Sequence, residues 1–231
     1  MLKISHQTNL QNTNHQFASS WSGGKDACMA LYLLMQAGHT PKVLYTMLHE
    51  DSKTSRAHNL PVAVLRAQAE ALGIPNHFQS CAKANYKTNY QAVLKSLKDK
   101  NIDSICLGDI DLQAHRDWQE DVTRESSITP LFPLWLLDHK KLVEELICVG
   151  FEATIMAVHP EKAPESLLGK PLNTDTIAEL EELNIDVCAE GGEFHTVITN
   201  GPIFNHPVKL SKPTLRRGAE FGYSFLDYST P

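Results

Sequence analysis

The chain reads as an α/β protein: a parallel sheet with helices on both faces, followed by a smaller C-terminal α/β subdomain. Three observations predict this. Apolar runs of strand length alternate with stretches of helical period through the first half. A Gly-Gly turn, Ser22-Gly23-Gly24-Lys25-Asp26-Ala27, joins an apolar lead to an apolar periodic run, as at a strand-to-helix junction. Pro130 and Pro133 then punctuate the middle, and a second helix–strand pattern begins after them.

Met1 to Gln16 is rich in Asn, Gln and His and is expected to be a flexible lead, residues 1–16. Phe17, Ala18 and Trp21 supply the first strand, and Ala30, Leu31, Leu33 and Leu34 the helix after the turn. Val43 to Leu48 is a compact apolar run that fits a buried strand. From Leu60 to Leu72 the apolar residues Val64, Leu65, Ala69 and Leu72 repeat at helical spacing. Pro61 stands near the start of that run and Gly73 just past its end, the asymmetry a helix favours. Asn89 to Lys100 reads as a further helix, and Ile102 to Leu107 as a strand ending at Gly108. These elements make up a first domain, 17–135. In the second, 136–231, Lys140 to Val149 reads as a helix closed by Gly150, Glu152 to Val158 as a strand, and Thr174 to Leu183 as a helix capped by Thr174 or Asp175. Thr196 to Ile198 and Phe221 to Leu226 are expected to be late strands.

Composition narrows the function classes. The 21 Lys and Arg against 27 Asp and Glu leave a net charge of −6, which argues against a large nucleic-acid surface. The five cysteines are scattered and form no Cys-x-x-Cys pair, so they read as buried free thiols rather than metal ligands. The N-terminus has no apolar core of a signal peptide, and no run approaches the roughly 20 apolar residues of a membrane helix, so the protein is expected to be cytoplasmic.

Three stretches carry candidate chemistry. The turn at Ser22–Ala27 aims backbone N–H groups at the positive end of a helix dipole, where a phosphate fits, although an ordinary turn would have the same residues. It is neither a Walker A loop nor Gly-x-Gly-x-x-Gly. Gly108-Asp109-Ile110-Asp111, with His115-Arg116-Asp117-Trp118-Gln119-Glu120 after it, lies past a predicted strand. Asp109 could hold Mg2+ on a triphosphate and Arg116 could offset its charge; a capped helix with a solvated face is the plainer reading. Glu190-Gly191-Gly192-Glu193-Phe194-His195-Thr196 sets two carboxylates around a Gly-Gly pair, for a base or an amine site, or for a polar turn.

Taken in this order, the three motifs resemble the diphthine–ammonia ligase family, PP-loop ATP pyrophosphatases with a Rossmann-like, adenine-nucleotide alpha-hydrolase-like fold. The resemblance runs from Phe17 to Phe204 and includes Thr129-Pro-Leu-Phe-Pro-Leu-Trp135. It implies an ATP-dependent, AMP- and pyrophosphate-forming ligase that adenylates a carboxylate and amidates it with ammonia. The implied cofactors are ATP and Mg2+. The implied acceptor bears a carboxylate, as on elongation factor 2 if the source is archaeal or eukaryotic. By resemblance, Ser22, Gly23, Gly24, Lys25, Asp26, Ala27, Gly108 and Asp109 bind the nucleotide, and Asp26 and Asp109 the metal. His115, Arg116, Glu120, Glu190, Gly191, Gly192, Glu193 and Thr196 face the substrate, with Lys25, Asp26, Glu190 and Glu193 catalytic. Ala27 departs from the pattern, which usually has Ser there; one hydroxyl contact worth about 0.5–1.5 kcal/mol is missing. Two other readings are a PP-loop tRNA-modifying enzyme, whose usual Cys pairs or basic appendage are absent, and a nucleotide-binding sensor without turnover. A homodimer is compatible with the sequence, but no feature demands one.

Overall fold

A computed structural model describes residues 15–218 and 222–230. The first sheet contains β1 (Gln16–Ser20), β2 (Thr40–Leu48), β3 (Asn76–Ser80), β4 (Ser104–Cys106) and β5 (Thr129–Leu131). Their order is β3-β2-β1-β4-β5, and every neighbouring pair is parallel. Parallel neighbours need crossovers, here supplied by α1 (Lys25–Gln36), α2 (Val62–Leu72), α3 (Tyr86–Lys98) and α4 (Gln113–Glu125). Successive strand residues point to opposite faces. Phe17, Leu44, Leu48 and Cys106 pack with α1 and α2, while Ala18, Tyr45, Met47 and Ile105 pack with α3 and Val122 of α4. Helices therefore cover both faces, as the apolar residues on both sides of β1, β2 and β4 require.

The second half has α5 (His139–Cys148), β6 (Glu152–Val158), α6 (Thr174–Glu182), β7 (Phe194–Asn200), β8 (Thr214–Arg216) and β9 (Ser224–Asp227). Its sheet runs β7-β6-β9-β8 and is antiparallel. Ile155, Val197, Ile198 and Phe225 of this sheet join the same apolar cluster as Leu31 and Leu34 of α1. The small sheet is thus pressed onto the helix that follows the Gly-Gly turn.

Several local details differ from the sequence reading. The helix α6 is capped by Asn173, whose side chain accepts from the Thr176 amide at 2.9 Å, rather than by Thr174 or Asp175, which lie inside the helix. The short strands β3, β5 and β8 carry too few apolar residues to be visible as runs. Cys148 is exposed; the other four thiols are buried, and all five are free. Gln16 opens β1; residues 1–14 of the expected lead, and Phe221 of the last expected strand, lie outside the described residues. Among the described residues no helix is long and apolar enough to cross a membrane.

Candidate active site

The strand order reverses between β1 and β4, and ligands of open parallel sheets collect at the carboxyl ends flanking such a switch. Two glycines shape this crevice. Gly23 has φ +82°, and a Cβ there would lie 2.7 Å from Gln68 Oε1 and Leu60 Cδ1. A Cβ on Gly108 would lie 3.0 Å from the Ala27 nitrogen, so the exit of β4 rests directly on the first turn of α1. Gln68, fully buried on α2, fixes the turn: its Nε2 donates to Gly23 O at 2.9 Å and Ile198 O at 2.7 Å, and its Oε1 accepts from Trp21 Nε1 at 3.0 Å. The Ile198 amide also donates to Gly23 O at 3.0 Å. The turn is therefore held by β1, α2 and β7 together.

A cavity of about 270 Å³ opens beside the turn, and all three stretches singled out in the sequence reach it. Lys25 and Asp26 come from the turn, Gly108, Asp109 and His115 from beyond β4, and Glu190, Gly192 and Thr196 from the Gly-Gly loop and β7. Thr196 Oγ1 accepts from the Lys25 amide at 3.1 Å, capping α1 from the other sheet. Lys25 is 4% exposed; its Nζ donates to Asp26 Oδ2 at 2.8 Å and to the Cys188 carbonyl. Burial pulls the Lys25 pKa down, but Asp26, Cys188 and Glu190 together outweigh it and the net direction is up. Burial raises Asp26 against the pull of Lys25. Glu190 is raised to about 7, first by burial and then by Asp26, Asp111 and Asp109, with Lys25 opposing. His115 Nδ1 lies 3.5 Å from Asp109 Oδ1, and that contact raises its pKa.

Other expected site residues lie elsewhere. Ser22 opens on a second cavity of about 290 Å³, on the β2 side of the turn, with Trp21, Tyr45 and Tyr86. Arg116 pairs with Glu120 at 2.7 Å and stacks over Trp135 and Phe132, 4.6 and 5.1 Å from the ring centres. Neither Arg116 nor Glu120 lines either cavity. Glu193 and Gly191 also lie outside the lining; a Cβ on Gly191 would collide with the Glu193 carboxylate, which folds back over it.

The fold adds residues that the sequence did not reveal. His58, from the loop before α2, lines the first cavity and stacks on His195, with 4.6 Å between ring centres; His195 stacks in turn on Tyr223 at 4.8 Å. Burial, with His195 and Lys25 adding, pushes His58 well below its ordinary value, and burial with Lys25 lowers His195 to about 4. Both rings are therefore neutral at pH 7. Asp186 anchors the loop that carries Glu190: its Oδ2 accepts from the Glu190 amide at 2.9 Å and its Oδ1 from the Cys188 amide at 3.1 Å. His139 bridges Asp186 at 2.8 Å and Asp111 at 3.3 Å. Burial lowers the His139 pKa, but the two carboxylates outweigh it and the net direction is up. His195 belongs to the Gly-Gly stretch already singled out, but His58, His139 and Asp186 stand in no periodic or glycine-marked stretch, so only the fold brings them to the site.

Among the described residues no group of three or more His, Cys, Asp and Glu is arranged to hold a metal by itself. Mg2+ takes one or two carboxylates and completes its shell with phosphates and water. Asp26 and Asp109, facing one cavity, fit that demand.

A model of the diphthamide synthase N-terminal domain matches residues 15–130, and one of the diphthamide synthase C-terminal domain matches residues 138–227. The chain is 24% identical over 216 residues to a diphthine–ammonia ligase of Danio rerio, covering 81% of this chain and 83% of that one. It is 25% identical over 213 residues to that of Bos taurus, with 81% and 79% covered. A predicted subunit of tRNA methyltransferase from Methanocaldococcus jannaschii superposes with a TM-score of 0.45 at 15% identity, covering 81% of this chain and 98% of that one, too loosely to carry any inference.

Proposed function

The chain belongs to the diphthamide synthase family, and from that premise we propose that it is an ATP-dependent ligase that adenylates a carboxylate on an acceptor and amidates it with ammonia. The observation that supports this most is the meeting of the Gly-Gly turn, Asp109 and Glu190 at one cavity. Residues 17–135 would carry the nucleotide and 136–231 the acceptor side.

In the first step an acceptor carboxylate oxygen attacks the α-phosphorus, the bond to the β-phosphate breaks, and pyrophosphate leaves. The turn at the start of α1 faces the charge that gathers on pyrophosphate, and preorganised donors act most strongly where charge develops. Asp26 and Asp109 would hold Mg2+, which when bound offsets that same charge. Lys25, tied to Asp26 and to the Cys188 carbonyl, positions the carboxylate and joins the turn to the Glu190 loop. In the second step ammonia attacks the acyl carbon and AMP departs. Ammonium must first lose a proton, and Glu190, raised to about 7, is matched to take it at neutral pH. The neutral His58 and His195 wall the cavity without adding positive charge that would repel ammonium.

The test uses ATP, Mg2+, isotopically labelled ammonium and a diphthine-bearing elongation factor 2. The proposal expects the label to appear as a carboxamide on the acceptor, analysed by mass spectrometry. An acceptor left as the carboxylate while ATP is consumed would refute the amidation step.

A further inference from the structure

The triphosphate needs a cation, and the two assigned from the sequence are committed elsewhere. Lys25 Nζ is held by Asp26 and the Cys188 carbonyl. The Arg116 guanidinium lies over Trp135 and is bonded to Glu120. The second cavity, next to Ser22, has Arg56 on its wall. The Arg56 amide donates to Met47 O at 2.9 Å, which fastens this loop to the carboxyl end of β2. Its guanidinium sits 6.0 Å from the centre of the Tyr86 ring, and its Nε is buried with no hydrogen-bond partner. A buried guanidinium N–H without an acceptor is uncommon in a folded chain. Here it stands in a cavity of about 290 Å³ lined by Trp21, Tyr45 and Tyr86, apolar walls suited to a nucleoside. The planar guanidinium fork matches phosphate oxygens two at a time.

We infer that Arg56 is the side chain that pairs with a phosphate of the bound nucleotide. The inference rests on the nucleotide-binding reading above and adds to it the residue that discriminates a charged nucleotide from its nucleoside. Arg56 also lines a larger outer groove of about 670 Å³, so it stands where that groove meets the cavity beside Ser22.

Calorimetric titration of wild type, Arg56→Met and Arg56→Lys with ATP and with adenosine, without acceptor, tests the role. Loss of a charge-assisted pair predicts about 10- to 100-fold weaker ATP binding by Arg56→Met. Adenosine affinity should stay within about 2-fold of wild type, since only the charge is lost. Arg56→Lys, which keeps the charge but not the fork, should fall between the two for ATP, and it carries the test should Arg56→Met fail to fold. Unchanged ATP affinity in the variants would overturn the inference, as would equal losses for ATP and adenosine. A wild-type protein that binds no ATP would overturn both this inference and the ligase reading.

Discussion

Glu190, the proposed base, sits where burial and neighbouring carboxylates oppose its charge. Its carboxyl is raised from 4.5 to about 7, so the folded state holds a proton that the unfolded state releases between those values. Stability from this group is fully present below the unfolded pKa and is lost as pH rises through 7. Because the side chain is partly open to solvent, the full shift is discounted to about 1–2 kcal/mol. Glu190→Gln should therefore melt several degrees higher than wild type at pH 8.5 and about equally at pH 4.5. The same variant should bind ATP normally and fail to deliver the amide. Equal melting temperatures at both pH values would remove the electrostatic strain assigned to Glu190. Ala27 is the second informative residue, buried on the first turn of α1 against Gly108. Ala27→Ser places a hydroxyl at the proposed phosphate end and should tighten ATP binding or speed pyrophosphate release about 2- to 10-fold. No gain in either would mean that no phosphate oxygen lies within reach of that position.

At the scale of elements, the turn depends on contacts from three directions. Gln68 of α2 satisfies Trp21, Gly23 and Ile198 at once, and Gln68→Ala takes this partner from Trp21 Nε1 and Ile198 O, while Gly23 O keeps the Ile198 amide. Each loss costs about 1–3 kcal/mol, so denaturant unfolding should show a loss of at least about 2 kcal/mol. Asp186 performs a similar task for the 186–193 loop. Asp186→Asn weakens its hold on the Cys188 and Glu190 amides and on His139. Hydrogen exchange at those two amides should accelerate and amide formation should fall about 10-fold, with ATP affinity held within 2-fold. Unaltered exchange at both amides would show that the loop is held by other contacts. The elements legible in the sequence were those with apolar periodicity, such as α2 between Pro61 and Gly73 and the uninterrupted run in β6. The strands β5 and β8, three residues each, have no room for a period. The helix α4 buries only Val122 and Thr123, so it has no apolar period, and its charged face was legible only as the plainer reading of a capped, solvated helix.

For the whole molecule, the sequence revealed three motifs and the fold supplies the reason they belong together. The strand order reverses beside the turn, the small sheet packs on α1, and β7 returns Thr196 to the turn across 171 positions of chain. Motif order along the chain made Asp109 and Glu190 visible as candidates. It could not distinguish Glu190, which faces the cavity, from Glu193, which folds away, because that depends on how Gly191 and Gly192 turn the loop. Nor could it find His58, Arg56 or Asp186, which stand in polar loops and reach the site only through tertiary packing. The proposed function stands on ATP being cut between its α- and β-phosphates to activate a carboxylate. The most direct measurement follows ATP labelled at the α-phosphate in the presence of Mg2+, ammonium and the diphthine-bearing acceptor. The label should appear in AMP, matched by an equal amount of pyrophosphate and dependent on the acceptor. Label recovered in ADP, with inorganic phosphate as the other product, would contradict it.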